Sequence, residues 1–153
     1  MTWFSTPERL QALSRECEAW LGTPFSGNGA SRSRGVSCQK LVGALYDATC
    51  APGILGSVPD APMGYWKFAK FSLVEHWLDA RSEFTRVPDP STDLVIPGDL
   101  IGFRLGRIVH HLGTAIPEPG RFIHCTESAG VNYASFSDAT WRTRFMFIWR
   151  PNA

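Results

Sequence analysis

The order in which two hydrophobic periodicities occur along the chain is what most restricts the fold. Apolar residues recur at helical spacing in the N-terminal half, and from about residue 84 onward they alternate with a period of two. Because the helices precede the strands instead of alternating with them, a parallel sheet of repeated strand–helix–strand units is excluded. The chain is predicted to be α+β, with N-terminal helices packed on a C-terminal antiparallel β-sheet.

Three helices are predicted in the N-terminal half. The first begins with Thr6 and Pro7, a hydroxyl N-cap followed by proline at the first helical position. The second is predicted over residues 37–49 and the third over residues 65–80, and residues 25–35 are predicted to be a loop. Six segments with alternating apolar residues are the predicted strands: residues 84–87, 100–104, 108–116, 121–126, 131–136 and 145–150.

Length and charge exclude several classes of protein. A chain of 153 residues has the length of one domain, so residues 1–153 are predicted to form a single domain. Its 15 basic and 14 acidic residues leave a net charge of +1, which does not favour binding to nucleic acid or to a membrane surface. No segment approaches the ~20 consecutive apolar residues of a transmembrane helix. The first residues lack the pattern of a secretory signal peptide, so we expect synthesis in the cytoplasm.

Of the four cysteines, Cys38 occupies the position best suited to chemistry. It lies at the predicted N-terminus of the second helix, where free backbone N–H groups and the helix dipole are expected to lower the pKa of the thiol. A buried structural thiol is the alternative for this residue. That structural role is predicted for the three cysteines in apolar patterns without a basic partner: Cys17, Cys50 and Cys125.

Two histidines are predicted to meet on one face of the sheet. Strand alternation places His111 on the face that Gly113 shares and sends His110 to the opposite face. A hairpin closed at residues 117–120 puts Gly113 opposite His124, so that the Cα atoms of His111 and His124 are diagonal neighbours at about 7–8 Å. Gly113 is expected to leave room for the two imidazoles. The register therefore predicts that His111, and not His110, lies beside His124.

Cys38, His111 and His124 can together perform nucleophilic catalysis. In this hypothesis Cys38 attacks an acyl carbon, His111 takes the thiol proton, and His124 holds the base in one tautomer. The backbone N–H at the start of the helix is placed to stabilise an oxyanion. The alternative is that both histidines are hydrogen-bonded sheet residues without a catalytic role.

A metal site is the other chemistry that these histidines suggest. Neighbouring strand residues point to opposite faces and no ligand spacing repeats. Both observations argue against convergence of the four candidate ligands: His110, His111, His124 and Cys125. No metal and no cofactor are therefore predicted.

Five short segments with distinctive residues follow one another along the chain: Trp20-Leu-Gly-Thr-Pro-Phe25, Gly35-Val-Ser-Cys38, Pro97-Gly-Asp-Leu-Ile-Gly-Phe103, His111-Leu-Gly and Phe122-Ile-His124. Their order resembles that of NlpC-type cell-wall cysteine peptidases, and the resemblance extends from about residue 10 to residue 151. The resemblance is closest to compact members encoded in phage and prophage tail modules. It implies a papain-like fold and hydrolysis of an amide bond in peptidoglycan stem peptides, of the γ-D-glutamyl–diamino acid type. By position, the resemblance implies the catalytic residues Cys38, His111 and His124, the same three that strand and helix positions suggest.

Three residues beside the nucleophile depart from the family pattern. Family members usually have Asp before the cysteine and Ser after it, where this chain has Ser37 and Gln39, and Tyr where this chain has Phe25. These three residues are predicted to contact the substrate and to alter specificity. The alternatives are a thiol-dependent amide or thioester hydrolase with a non-wall substrate, and a catalytically altered structural component of a phage tail.

The resemblance also implies the partners. A peptidoglycan stem peptide is the expected substrate, and phage-tail or secretion-system proteins are the expected further partners. Because that substrate lies outside the cytoplasm and no signal peptide is predicted, we expect the protein to be virion-associated or exported by a route other than Sec.

Overall fold

The computed structural model describes residues 2–153, in which most helices precede the large sheet. The helices are α1 (Pro7–Trp20), α2 (Cys38–Thr49), α3 (Leu73–Asp79) and α4 (Ala139–Arg144), with 3₁₀ turns at Leu55–Ser57, Tyr65–Lys67 and Thr92–Leu94. The strands are β1 (Ala30–Ser31), β2 (Gly35–Val36), β3 (Phe84–Arg86), β4 (Leu100–Leu105), β5 (Ile108–Ala115), β6 (Arg121–Thr126), β7 (Gly130–Ser135) and β8 (Phe145–Pro151).

The sheet topology confirms the predicted fold class. β1 and β2 form a small hairpin, and the other six strands form one sheet in the order β3-β8-β4-β5-β6-β7. Every pairing in that sheet is antiparallel. The chain is therefore α+β, with helices packed on an antiparallel sheet. None of the helices within residues 2–153 has the length and apolar character needed to cross a membrane.

The main core lies between the helices and one face of the sheet. α2 packs against α1 on one side and against β5 and β6 on the other. Leu41 and Leu45 of α2 are fully buried there, as are Leu112 of β5 and Ile123 of β6. Full burial of one such side chain stabilises a fold by about 1.5–3 kcal/mol. This packing fixes the start of α2 against the two strands that carry the histidines.

The opposite face of the sheet carries a smaller, mostly aromatic cluster. Its buried members are Ile101, Phe103, Ala115, Phe122 and Phe136. Trp141 of α4 packs on this cluster. The Asp138 carboxylate caps α4 by accepting a hydrogen bond from the Thr140 N–H at 2.8 Å. The sequence did not predict α4, because six residues are too few to show a helical apolar stripe.

The predicted register of the β5–β6 hairpin is confirmed. Gly113 pairs with His124, and the Ile116 N–H donates to the carbonyl oxygen of Arg121 at 3.1 Å. Since turn position and strand alternation determine a hairpin register, the sequence contained enough information for this pairing.

A β-bulge in β5 changes where His110 lies. Phe103 pairs with His111 and Arg104 pairs with Val109, which leaves His110 without a partner in β4. Val109 is consequently buried in the main core. The predicted strict alternation is wrong here, because the extra residue interrupts the period of two.

The helix predicted over residues 65–80 is in fact two shorter elements. After the 3₁₀ turn Tyr65–Lys67, Ser72 starts α3 as its N-cap, and its hydroxyl accepts from the Glu75 N–H at 3.1 Å. The same hydroxyl donates to the carbonyl oxygen of Val109 on β5. This anchor to the sheet separates the two elements. The predicted loop at residues 25–35 likewise includes the strand β1.

A buried ion pair connects the ends of β4 and β8. Asp99 is fully buried, and its carboxylate accepts from Arg150 Nε at 2.9 Å and Arg150 Nη2 at 2.8 Å. The Ile96 N–H donates to the same carboxylate at 2.9 Å. Three donors therefore compensate the desolvation of one carboxylate.

Candidate active site

Cys38 is the first residue of α2, and the N-cap before it determines its position. The Ser37 hydroxyl accepts a hydrogen bond from the Lys40 N–H at 3.3 Å. Cys38 is 8% exposed, and its Sγ lies 3.4 Å from Gln39 Oε1 and 3.7 Å from the carbonyl oxygen of His110. The thiol thus lies where the start of α2 meets β5.

Burial, and not the helix N-terminus, dominates the pKa of Cys38. Desolvation raises the pKa of the thiol to about 11, while the backbone N–H groups of Leu112, Gln39 and Cys38 itself act in the opposite direction. The predicted lowering of this pKa is wrong, because desolvation destabilises the thiolate more than these N–H groups stabilise it. At neutral pH the Cys38 side chain is therefore a neutral thiol.

His111 and His124 form a hydrogen-bonded pair on adjacent strands. His111 Nε2 lies 2.9 Å from His124 Nδ1, and the ring centroids are 5.0 Å apart. The prediction that His111 lies beside His124 is confirmed. Gly113 is needed for a different reason than expected, since a Cβ there would lie 3.0 Å from a ring carbon of Phe122 and 3.1 Å from the carbonyl oxygen of Ile123. The glycine makes room for β6 itself.

Both imidazoles are buried and neutral at pH 7. Burial lowers the pKa of His111 well below its usual value, and the positive charges of His124, His110 and Arg144 would lower it further. Burial also lowers the pKa of His124 to about 4, against a smaller opposing effect of its hydrogen bond to Asn132. A neutral His111 has a free lone pair, which a general base requires.

Two residues that the sequence analysis missed complete the surroundings of the pair. Trp141 stacks on His111 with ring centroids 5.0 Å apart and 27° between the planes, and it meets His124 edge-on at 4.7 Å. Asn132 of β7 pairs with His124, and its Oδ1 lies 3.2 Å from His124 Nε2. The same reasoning from turn position and strand alternation, applied to the hairpin of β6 and β7, could have predicted that Asn132 lies opposite His124.

One cleft of about 350 Å³ contains the thiol and two of the histidines. Cys38, His110 and His111 all line it, so the prediction that His110 lies on the opposite face of the sheet, away from the site of His111, is wrong. The bulge brings both histidines to this cleft. The apolar wall includes Phe25, Met63, Trp66 and Trp141, and the charged lining side chains are Glu127 and Arg144.

The candidate metal ligands do not converge on one point in the part of the chain that the structure describes. Within residues 2–153, no three His, Cys, Asp or Glu side chains are grouped so that they could hold a metal ion. Cys125, which lines the same cleft, is buried, and its Sγ is 3.2 Å from the carbonyl oxygen of Val36.

The fold resembles several solved structures. A Staphylococcus aureus protein described as similar to a lipoprotein of the NLP/P60 family has a TM-score of 0.64 and 21% identity, over 99% of this chain and 44% of that one. The NlpC/p60 domain of the peptidoglycan hydrolase SagA has a TM-score of 0.59 and 18% identity, over 91% of this chain and 96% of that domain. The peptidoglycan hydrolase RipB of Mycobacterium tuberculosis has a TM-score of 0.54 and 17% identity, over 92% of this chain and 63% of RipB.

The chain has the NlpC/P60 fold. The predicted papain-like architecture and the predicted resemblance to NlpC-type structures are thereby confirmed, whereas closeness to phage-tail members stays a prediction. No family model matches the sequence, and no curated protein matches it either.

On this NlpC/P60 scaffold, the three predicted substrate residues all line the cleft. The Ser37 hydroxyl is engaged as the N-cap of α2, and Ser37 is almost fully buried. Gln39 is also buried, with its Nε2 3.4 Å from Asn28 Oδ1. Phe25 packs partly against the main core. Their contact with a substrate stays a prediction.

Proposed function

We propose that the protein is a cysteine peptidase that hydrolyses an amide bond in peptidoglycan stem peptides, of the γ-D-glutamyl–diamino acid type. The observation that carries this proposal is that Cys38 and His111 line one cleft and that His111 is hydrogen-bonded to His124 behind it. The shared fold adds support, because SagA and RipB are described as peptidoglycan hydrolases.

The neutral resting site determines the first step of the proposed mechanism. Cys38 Sγ attacks the carbonyl carbon of the scissile amide while His111 accepts the thiol proton. His124 stabilises the resulting imidazolium through its hydrogen bond to His111. His111 then protonates the departing amine, which leaves a thioester between Cys38 and the acyl half of the substrate.

Hydrolysis of the thioester completes the reaction. Neutral His111 takes a proton from water, the hydroxyl adds to the thioester carbonyl, and the sulfur leaves and is reprotonated. The backbone N–H groups at the start of α2 face the sulfur and are available to the oxyanion in both steps. No further reactant is required.

The charged lining of the cleft is compatible with the proposed substrate. A diamino acid in a stem peptide carries a free ammonium group, which Glu127 can bind. It also carries a carboxylate where it is C-terminal or dicarboxylic, which Arg144 can bind. With Ser37 in place of a carboxylate, Glu127 is the group that we expect to bind a substrate ammonium. Glu127→Gln should therefore raise KM more than it lowers kcat.

The apolar wall favours a second candidate function. An apolar acyl group would fit the surface formed by Phe25, Met63, Trp66 and Trp141. Thiol-dependent hydrolysis of an amide or thioester of such an acid is therefore the alternative.

The proposed wall substrate also implies a route out of the cytoplasm. Association with a phage tail or a secretion machine belongs to the proposal and is tested by copurification.

A two-substrate assay distinguishes the candidates. Wild type and Cys38→Ala are incubated separately with stem tetrapeptides and with thioesters of apolar acids, and the products are identified by mass spectrometry. Cleavage of the stem peptide by wild type alone supports the first function. Cleavage of the thioester with the stem peptide intact supports the second, and inertness towards both contradicts catalysis.

A further inference from the structure

Asn132 makes two hydrogen bonds that together fix the orientation of its amide. Its Nδ2 donates to the carbonyl oxygen of Gly130 at 2.8 Å, and its Oδ1 faces His124 Nε2 at 3.2 Å. The reverse orientation would direct Oδ1 at another oxygen, so the amide can offer His124 only an acceptor. His124 Nε2 must therefore carry a proton and donate.

The tautomer of His124 in turn determines the tautomer of His111. A neutral imidazole has one N–H and one bare nitrogen, so protonation of His124 at Nε2 leaves its Nδ1 as an acceptor. His111 Nε2, 2.9 Å away, must then be the donor in the His111–His124 bond. His111 is also neutral, so its bare nitrogen is Nδ1, the one not used by His124.

We propose that Asn132 is a positioning residue that fixes the tautomers of both histidines and so keeps the Nδ1 lone pair of His111 free to accept the Cys38 proton. The consequence for catalysis rests on the proposed function, whereas the consequence for the tautomers does not. Without Asn132, His124 can donate from Nδ1 instead, and His111 then carries its proton on Nδ1. In that arrangement Nδ1 of His111 has no free lone pair, so it cannot accept the Cys38 proton.

Asn132→Leu removes the oxygen that accepts from His124, with little change in side-chain volume. Asn132→Asp keeps an acceptor oxygen at the same position. The matched control is Asn152→Leu, the same exchange at an exposed residue that bonds Thr85 and lies outside the cleft. The four histidines of the chain keep the side-chain ¹⁵N spectrum simple to assign.

The first measurement is that ¹⁵N spectrum at neutral pH, which needs no substrate. His111 and His124 are expected to carry their protons on Nε2 in wild type, Asn132→Asp and Asn152→Leu. In Asn132→Leu a substantial Nδ1–H population is expected for both. Unchanged tautomers in Asn132→Leu would overturn the proposal. If that variant does not fold, Asn132→Ala is measured with the same expectation.

The second measurement is the kinetics of the same variants. We expect Asn132→Leu to lower kcat by about tenfold or more with KM nearly unchanged, because a wholly wrong tautomer costs about 10⁴-fold in a serine-protease triad. Asn132→Asp should recover most of kcat, and an equal loss in both variants would count against the proposal. If wild type hydrolyses no substrate and the tautomers still shift, the proposed function fails and the assignment of Asn132 stands.

Discussion

The buried histidine pair makes the stability of the fold depend on pH below neutrality. The pKa of His124 is about 4 in the folded protein and about 6.5 in the unfolded chain. The stability contributed by the neutral imidazole is complete above about pH 6.5 and is lost as the pH falls toward 4, since only the unfolded chain binds the proton in that window. Between pH 7.5 and 5, His124 alone should lower the free energy of unfolding by about 2 kcal/mol. His111, whose pKa is also lowered, adds to the loss.

Urea denaturation followed by tryptophan fluorescence measures this effect. Wild type, His124→Gln and His76→Gln are each unfolded at pH 7.5 and at pH 5; His76 is the control because it is exposed. The pH-dependent loss should be about 2 kcal/mol smaller in His124→Gln than in wild type, and unchanged in His76→Gln. Equal losses in wild type and His124→Gln would show that the buried neutral imidazole of His124 is not the cause of the pH dependence.

Three further predictions test other parts of the structure. Because the pKa of Cys38 is about 11, its alkylation by iodoacetamide, followed by peptide mapping, should accelerate about tenfold per pH unit from pH 7 to 9; a plateau below pH 8 would show a stabilised thiolate. Arg150→Met leaves the Asp99 carboxylate buried without its cation and should cost about 3–5 kcal/mol in denaturant unfolding. Arg121→Met breaks a surface pair and should cost less than about 1 kcal/mol, so similar costs would contradict the role of burial. Gly113→Ala should lower the free energy of unfolding by about 1–3 kcal/mol in the same assay. No change would show that β6 can shift to accommodate the added methyl group without cost.

The hairpin carrying the histidines was predictable because its determinants are local. Strand alternation and the turn at residues 117–120 are both visible in the sequence, and together they place Gly113 opposite His124. The N-cap signals at Thr6 and Ser37 are local in the same sense, and both hydroxyls cap their helices in the structure. The hairpin register brings His111 beside His124, and the Ser37 cap places Cys38 at the start of α2.

The features that the sequence analysis missed depend on distant contacts. The bulge at His110 depends on how β5 pairs with β4, and the pKa of Cys38 depends on how deeply α2 is buried against β5. The break before α3 is anchored by the bond between Ser72 and Val109, 37 positions apart. None of these contacts has a periodic pattern in the sequence.

Cys38 is proposed to be the nucleophile for an amide bond of the peptidoglycan stem peptide. The masses of the products that wild type, Cys38→Ala and Cys50→Ala form from purified muropeptides test this role. Cys50 is the matched control, since it is a free cysteine at the other end of α2 and outside the cleft lining. Wild type and Cys50→Ala are expected to cleave between D-glutamate and the diamino acid, and Cys38→Ala is expected to leave the muropeptides intact. Equal cleavage by Cys38→Ala, or intact muropeptides with wild type, would contradict this role of Cys38.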